Sequence, residues 1–240
     1  MSALLRSELR KVRSARGHAS LAPIGIAVGL LFSVMYLASS TLTADDARTA
    51  LANAGASGIF VALFGLVSVT AESRHGTLGV SLTVSPHRGR LLLAKLTVAG
   101  GVGLASAVAA MGLQSALLAV WFGVEGASIG ISASQWANVA LGTMVSFPLL
   151  AVVGVGAGAL LRDQTLAVVV LLVLLLLVEP AVSGAWGAFL GPFTAAQAAQ
   201  ANEVLEVADA SQTKGATVLL GWAMMLFALG LAVFQRQEVR

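Results

Sequence analysis

The chain has 240 residues, of which 58% are apolar and 10% are charged, and its mean hydropathy is +0.90. This balance excludes a conventional soluble enzyme, and the continuous apolar runs exclude an outer-membrane barrel, whose strands alternate apolar and polar residues. The chain has no cysteine, which excludes disulfides and thiolate metal sites, and its net charge of +3 comes from basic residues that flank apolar runs, so we expect no nucleic-acid partner. The composition predicts an all-α integral membrane protein.

The first predicted element is an amphipathic helix over residues 1–19 that lies on the inner membrane surface. Leu5, Leu9 and Val12 recur at the spacing of one helix face, whereas Arg10 and its basic neighbours lie around the other face. A charge cluster that only sets topology is the alternative interpretation. We expect the segment to be retained, because the apolar run after it is long for a signal peptide.

Six membrane-spanning helices are predicted next, because a hydrocarbon core of about 30 Å needs roughly 20 helical residues. Within a single domain over 1–240, we place them at 20–40, 55–72, 92–122, 137–161, 165–186 and 215–234. Of the fourteen lysine and arginine residues, only Arg48 and Lys214 fall in loops on the side opposite to the termini. The positive-inside rule therefore predicts cytoplasmic termini. The Ala-, Gly-, Val- and Leu-rich composition further suggests a bacterial plasma membrane.

Residues 69–96 form a long cytoplasmic connection between the second and third spans. Gly76 to Val84 can form a short helix with Leu78 and Leu82 on one face, and Ser85-Pro86 supplies a stop followed by an N-cap for the next helix. An ordinary capped loop with solvated charges is the alternative. The mixed character of the stretch favours a segment that contacts another protein.

Charged residues stand at both ends of this connection. Glu72, at the membrane edge, can accept hydrogen bonds from backbone amides or pair with a nearby base such as Arg74. The first turns of the third span carry three basic residues that can meet lipid phosphate or an acidic partner surface: Arg88, Arg90 and Lys95.

The same connection contains a longer pattern, Glu72-x-x-x-Gly76-Thr77, then Pro86, then Arg88, Arg90 and Lys95. Together with the basic N-terminus, the six spans and the length, this pattern resembles the membrane subunits of ABC-2 type transporters. The resemblance implies that Gly76 to Val84 is a coupling helix that docks on a separate ATPase, braced by the N-terminal surface helix. The residues it implies for the ATPase-coupling loop are Glu72, Gly76, Thr77, Leu78, Leu82, Pro86 and Arg88.

The resemblance also implies the partners. Two copies of the ATPase would bind ATP and Mg, while this chain binds no cofactor directly; it contains no GxxxxGK[ST] motif and is therefore not itself a P-loop ATPase. A second membrane subunit, either a further copy or a related permease, would complete the pathway within the lipid bilayer. Export as the direction of transport follows from the resemblance alone.

Polar residues inside predicted spans are candidates for the cargo pathway, because a buried charge in a bilayer is costly. Glu179 either lines the translocation route or touches lipid headgroups, and Gln114 is a further candidate for the pathway wall. Residues 180–202 are apolar but interrupted by proline and glycine, which predicts an outer re-entrant segment between the fifth and sixth spans. The apolar composition favours an amphipathic or apolar cargo such as a drug, a peptide antibiotic or a lipid.

Glycines at Gly154 and Gly158 form a GxxxG pattern within the fourth span. Such small residues allow close helix packing, either within one subunit or across a dimer.

Other functions remain open. A stand-alone channel or secondary transporter usually needs several intramembrane ionisable groups, and a purely structural membrane subunit leaves no sequence signature. A remote alternative is an intramembrane serine protease, because Gly55-Ala56-Ser57-Gly58 resembles the rhomboid G-x-S-G motif. That chemistry needs a histidine base beside Ser57, whereas all three histidines fall on the predicted cytoplasmic side: His18, His75 and His87.

Overall fold

The computed structural model describes residues 2–14, 20–74, 88–161, 163–186, 191–201 and 211–236. Within these ranges the chain consists of helices, turns and short connections, with no strand, as the composition predicts. The helices are α1 (Ser2–Ser14), α2 (Leu21–Ala38), α3 (Ala44–Ala52), α4 (Ser57–Arg74), α5 (Arg88–Val124), α6 (Ala133–Leu160), α7 (Gln164–Val173), α8 (Glu179–Trp186), α9 (Pro192–Ala201) and α10 (Gln212–Arg236). A 3-10 turn at Asn53–Ala56 joins α3 to α4, and a π-helical turn at Leu174–Val178 joins α7 to α8.

Six helical runs in the described part of the chain are long and apolar enough to cross a membrane, which confirms the predicted number and order of spans. They cover Leu21–Ala38, Ala44–Glu72, Gly89–Val124, Ala133–Leu160, Gln164–Val182 and Gln212–Gln235. The fourth run begins at Ala133, a turn earlier than predicted, because Ser132 and Gln135 form a capping box at its start. The protein is therefore built as a multi-pass membrane protein.

The connection predicted between the first two spans is itself partly helical. Thr43 and Asp46 form a capping box that starts α3. One face of this alanine-rich helix is fully buried, through Ala47, Ala50 and Leu51. The combination of a good cap and an apolar face explains why a segment predicted to be a loop folds as a helix.

The fourth span, α6, is the centre of the bundle and packs against α4, α5, α9 and α10. Gly154 and Gly158 face the backbone of α4 at Ala62 and Leu66, so closely that a methyl group at either glycine would collide with it. The GxxxG pattern therefore serves packing within this chain.

Two short helices, α1 and α9, pack against different parts of the bundle. The N-terminal helix α1 lies against α5, with Leu4 and Val12 packed on the core and Leu9 half exposed. Near the other end of the chain, α9 packs between α6 and α10.

Candidate functional site

Four charged side chains from three helices meet in one group, here called the four-charge cluster: Glu8 and Lys11 of α1, Glu72 of α4 and Lys95 of α5. Glu8, Glu72 and Lys95 are buried, whereas the Lys11 side chain is 42% exposed. The ammonium nitrogen of Lys95 lies 3.0 Å from Glu8 Oε2 and 2.8 Å from Glu72 Oε1. Lys11 Nζ lies 2.6 Å from both Glu8 Oε1 and Glu72 Oε1. The two positive and two negative charges balance, which offsets the cost of burying Glu8, Glu72 and Lys95.

Lys95 is the most deeply buried member, with its side chain 2% exposed. Its third hydrogen bond goes to the backbone carbonyl of Ser68 at 2.9 Å, so its three acceptors match the three donors of an ammonium group. Glu72 stands in the last turn of α4, where the helix dipole disfavours a carboxylate, and the two lysines compensate for this. The prediction that Glu72 pairs with a nearby base is confirmed, but the bases are Lys11 and Lys95 and not Arg74. Lys95, predicted to meet lipid phosphate or an acidic partner surface, instead pairs with carboxylates inside the protein.

The two members on α1 have shifted pKa values. Burial by itself raises the pKa of Glu8, but the charge of Lys95 and the hydrogen bonds from Lys11 and Lys95 outweigh it, so the pKa lies below its ordinary value of 4.5. Burial by itself lowers the pKa of Lys11, but hydrogen bonds to Glu72 and Glu8 raise it above its ordinary value of 10.5. Both groups are therefore charged at neutral pH.

The four-charge cluster lies at the base of the predicted coupling loop. Glu72 lies just before the stretch 75–87 and Lys95 lies in the second turn of the helix that follows it, so the cluster ties α1 to both ends of the predicted coupling loop. The central residues of that loop, Gly76, Thr77, Leu78, Leu82 and Pro86, lie outside the described residues, and Arg88 is the first residue of α5.

The surface-helix residues divide between two faces of α1. Leu5 and Val12 are partly buried, whereas Leu9 is 50% exposed and Arg10 is exposed. Glu8, which sequence reasoning missed, is buried between Leu4 and Val12 on the same face. The sequence does contain a pattern that could have indicated the role of Glu8. It is the only acidic residue in this basic segment, and it stands four residues from both Leu4 and Val12.

Glu179 lies in the protein interior, 4% exposed, and caps the start of α9. Its Oε2 accepts hydrogen bonds from the backbone amides of Phe193 at 2.9 Å and Thr194 at 3.0 Å, and from the Thr194 hydroxyl at 3.3 Å. A carboxylate is well suited to this position, because the first amides of a helix lack intrahelical partners and the dipole favours negative charge. Whether Glu179 also contacts cargo stays a prediction.

Two local features allow this cap. Gly191 lies directly against the Glu179 carboxyl, where any side chain would collide with it. The π-helical turn at Leu174–Val178 widens the helix just before Glu179. The wider turn keeps Glu179 on the same side of the helix as Leu175, and both are buried together with Ala167 and Leu171 from the preceding turns.

Gln114, the other predicted pathway residue, joins three helices. Its amide nitrogen donates to the Ser33 hydroxyl of α2 at 2.6 Å and to the Ala50 carbonyl of α3 at 2.8 Å. The Ser33 hydroxyl, with its single proton, lies within hydrogen-bond distance of the carbonyls of Gly29 and Ala50 and can donate to either of them. These buried bonds hold α2, α3 and α5 together, and a role for Gln114 in a pathway stays a prediction.

Ser57 of the G-x-S-G sequence is 1% exposed, and its hydroxyl donates to the backbone carbonyl of Gly25 at 3.0 Å. This bond joins α2 to α4. It occupies the hydroxyl proton that a general base would have to remove, which weakens the protease alternative.

Comparison of the sequence with protein-family models and with curated proteins finds no match.

Proposed function

We propose that this chain is the membrane-spanning permease subunit of an ATP-driven exporter of the ABC-2 type. It would form the translocation pathway for an amphipathic or apolar cargo, in a bacterial plasma membrane with both termini cytoplasmic. Two copies of a separate ATPase, which bind ATP and Mg, would drive it, and a second membrane subunit, identical or related, would complete the pathway.

The observation that carries the proposal is the attachment of α1 to both ends of the stretch 75–87. A loop that receives force from an ATPase needs a rigid base, since a flexible one absorbs the motion. Here the exit from α4 and the entry into α5 are joined through Glu72 and Lys95, and α1 is joined to both through Glu8 and Lys11. A push on the loop would therefore move two spans and the N-terminal helix together.

The strength of this attachment follows from burial. Ion pairs on a protein surface contribute little, but removing one partner of a buried pair costs about 3–5 kcal/mol because the other charge is left uncompensated. Glu8, Glu72 and Lys95 are each at most 6% exposed. The geometry thus fits a stable mechanical connection better than a chance surface contact.

The channel alternative has less support. The buried charged residues among those described are Glu8, Glu72, Lys95 and Glu179, and each is hydrogen-bonded within the protein. A proton or ion route usually relies on intramembrane charges that face a water-filled cavity.

The test is affinity purification of the tagged chain from its native host in mild detergent. We expect a protein with Walker motifs to accompany the wild-type chain, and to be lost with Leu82→Asp or Gly76→Val in the loop. The matched control is Val124→Asp at the opposite end of α5, where Val124 is 79% exposed. This control should retain the partner.

The loop substitutions are preferable to Glu72→Ala, because removal of Glu72 also breaks the four-charge cluster and confuses docking with folding. If the wild-type chain is purified without any ATPase under conditions that preserve other membrane complexes, the exporter proposal fails. The proposal also fails if Leu82→Asp and Gly76→Val both retain the ATPase.

A further inference from the structure

An apolar cleft of about 360 Å³ lies between the fifth and sixth spans. Its floor is α6, through Val153 and Ala157; Leu171 and Leu175 of the fifth span form one wall, and Trp222 and Leu226 of α10 form the other. Its volume falls within the range of about 300–1,000 Å³ that is usual for sites that bind small molecules.

The chemistry of the lining defines the ligand class. The described side chains that line the cleft are aliphatic or aromatic except for Glu179, and the indole N–H of Trp222 is the one further polar group. The Glu179 carboxylate faces the backbone amides of Phe193 and Thr194 and the N-terminus of α9, so its charge is compensated within the protein. The cleft thus offers no free charge to a ligand. This lining suits a hydrocarbon chain and disfavours a cationic ligand.

The surroundings of the cleft define the source of that chain. Leu174 and Val178 line it and are also 45% and 38% exposed, so it reaches the outer face of the fifth span. Leu166, Val169 and Leu177 continue that apolar face. In a helix of membrane-spanning length such a face contacts the acyl chains of the bilayer.

We propose that this cleft is a binding site for one acyl chain of a membrane lipid, which enters sideways past Leu174 and lies along α6 against Trp222. The site requires that the six helices cross a membrane and that the outer face of the fifth span contacts lipid. In the proposed exporter, the second membrane subunit would therefore have to contact a different face. α9, held by Glu179, closes one end of the site.

Tryptophan fluorescence provides a direct test, because Trp222 lines the cleft. Trp121, Trp136 and Trp186 are replaced by phenylalanine, and the chain is placed in nanodiscs of phosphatidylcholine with an increasing fraction of lipid brominated in the middle of its chains. Bromine quenches an adjacent indole. If one bound acyl chain contacts Trp222, its quenching rises linearly with the brominated fraction of the lipid. A tryptophan that faces several lipids is quenched more strongly than this linear relation at low brominated fractions.

The reference is the same chain with its sole tryptophan moved to a lipid-facing position by Leu113→Trp and Trp222→Phe, since Leu113 is 50% exposed on α5. We expect quenching that rises linearly with the brominated fraction for Trp222, and stronger quenching at low brominated fractions for the reference. Obstructing the mouth with Leu174→Phe should remove most of the quenching of Trp222, whereas Leu113→Phe, at similar exposure, should leave it unchanged. Size-exclusion profiles establish that each variant is folded.

Three results would overturn the proposal: absence of quenching at Trp222, a Trp222 curve identical to that of the lipid-facing reference, or full quenching in folded Leu174→Phe. Quenching by a brominated free fatty acid, with none from brominated phospholipid, would overturn the assignment to membrane lipid. Ala157→Phe, which fills the floor of the cleft, provides a second variant if Leu174→Phe does not fold; its retention of full quenching would contradict the proposal equally.

Discussion

At the scale of single residues, this protein places its buried charges where an opposite charge or a helix terminus compensates them. Lys95 is surrounded by two carboxylates and a carbonyl, and Glu179 by two backbone amides and a hydroxyl. Each arrangement joins elements that are far apart in sequence. Charge burial here therefore serves assembly of the bundle, because an element that moves away would leave its partner's charge uncompensated.

Neutralising Lys95 should reveal this dependence. Lys95→Met leaves the two carboxylates with Lys11 alone, and we expect a loss of about 3–5 kcal/mol in the free energy of unfolding. Adding Glu8→Gln restores charge balance between Lys11 and Glu72 and should recover much of the loss. Denaturant titration in detergent measures both, with exposed Lys214→Met as the control. Equal stability of wild type and Lys95→Met would contradict the structural role of the cluster.

The attachment of α1 should depend on pH in a defined direction. Glu8 has a lowered pKa, so its contribution is full above the ordinary value of 4.5 and is lost as pH falls through the lower folded value. Lys11 has a raised pKa, so its contribution is full below 10.5 and is lost as pH rises through the higher folded value. We therefore expect α1 to stay attached throughout the neutral range and to detach in strong acid or strong base.

A spin label on Leu9→Cys measures this detachment as increased mobility, which is practical because the chain has no native cysteine. A label on Leu166→Cys, similarly exposed but on α7, should not respond. Mobility of the α1 label that rises near neutral pH would refute the pKa argument.

At the scale of elements, glycine positions decide how closely the spans approach. A methyl group added at Gly154 would collide with the Ala62 backbone of α4, whereas one added at Gly101 would meet nothing within 4 Å. The two glycines lie in neighbouring spans with the same intrinsic cost to a helix. Only at Gly154 do the neighbouring residues leave no room for a side chain.

Alanine substitution at these two glycines should therefore have opposite effects. Gly154→Ala forces α4 and α6 apart and should cost about 1–3 kcal/mol, the usual penalty for overpacking. Gly101→Ala should be neutral or stabilise by up to about 1 kcal/mol, because alanine favours the helix. Thermal unfolding of the two variants in the same detergent gives the comparison, and equal midpoints would show that the α4–α6 approach is not constrained as described.

At the scale of the whole molecule, the six candidate spans among the described residues would, if all six cross the membrane, place α1 and the end of α10 on the same side of it. The positive charges would then concentrate on that side, and the positive-inside rule would predict a cytoplasmic position for the four-charge cluster. The cleft between the fifth and sixth spans would then lie at membrane depth, with α9 toward the opposite face.

This orientation predicts the accessibility of single cysteines. A membrane-impermeant maleimide should label Val124→Cys in intact cells, because Val124 is exposed at the end of α5 away from the cluster. Leu9→Cys should be labelled only in inverted vesicles. Labelling of Leu9→Cys in intact cells would show that the topology is the opposite of the one proposed. It would also remove the basis for ATPase docking at residues 75–87.

Composition and hydropathy alone were enough to predict the fold class and the number and order of the spans. Hydrophobic length is a local property, and a bilayer of fixed thickness converts it directly into spans. Helix starts were less predictable, because caps such as Ser132 and Gln135 and the packed face of α3 extend helices into segments that composition alone assigns to loops.

The pairing of polar groups, in contrast, could be recognised only in the folded bundle. Glu8 and Lys95 are 87 positions apart, and Lys11 and Glu72 are 61 positions apart. No local pattern specifies these pairings over the ones that the sequence suggests, which are Glu72 with Arg74 and Lys95 with lipid phosphate or an acidic partner surface. The capping role of Glu179 likewise depended on Gly191 and on a π-helical turn, neither of which hydrophobicity predicts. Pairings of this kind arise from packing of the complete bundle, because the cost of an isolated charge is met only when every contributing helix is in place.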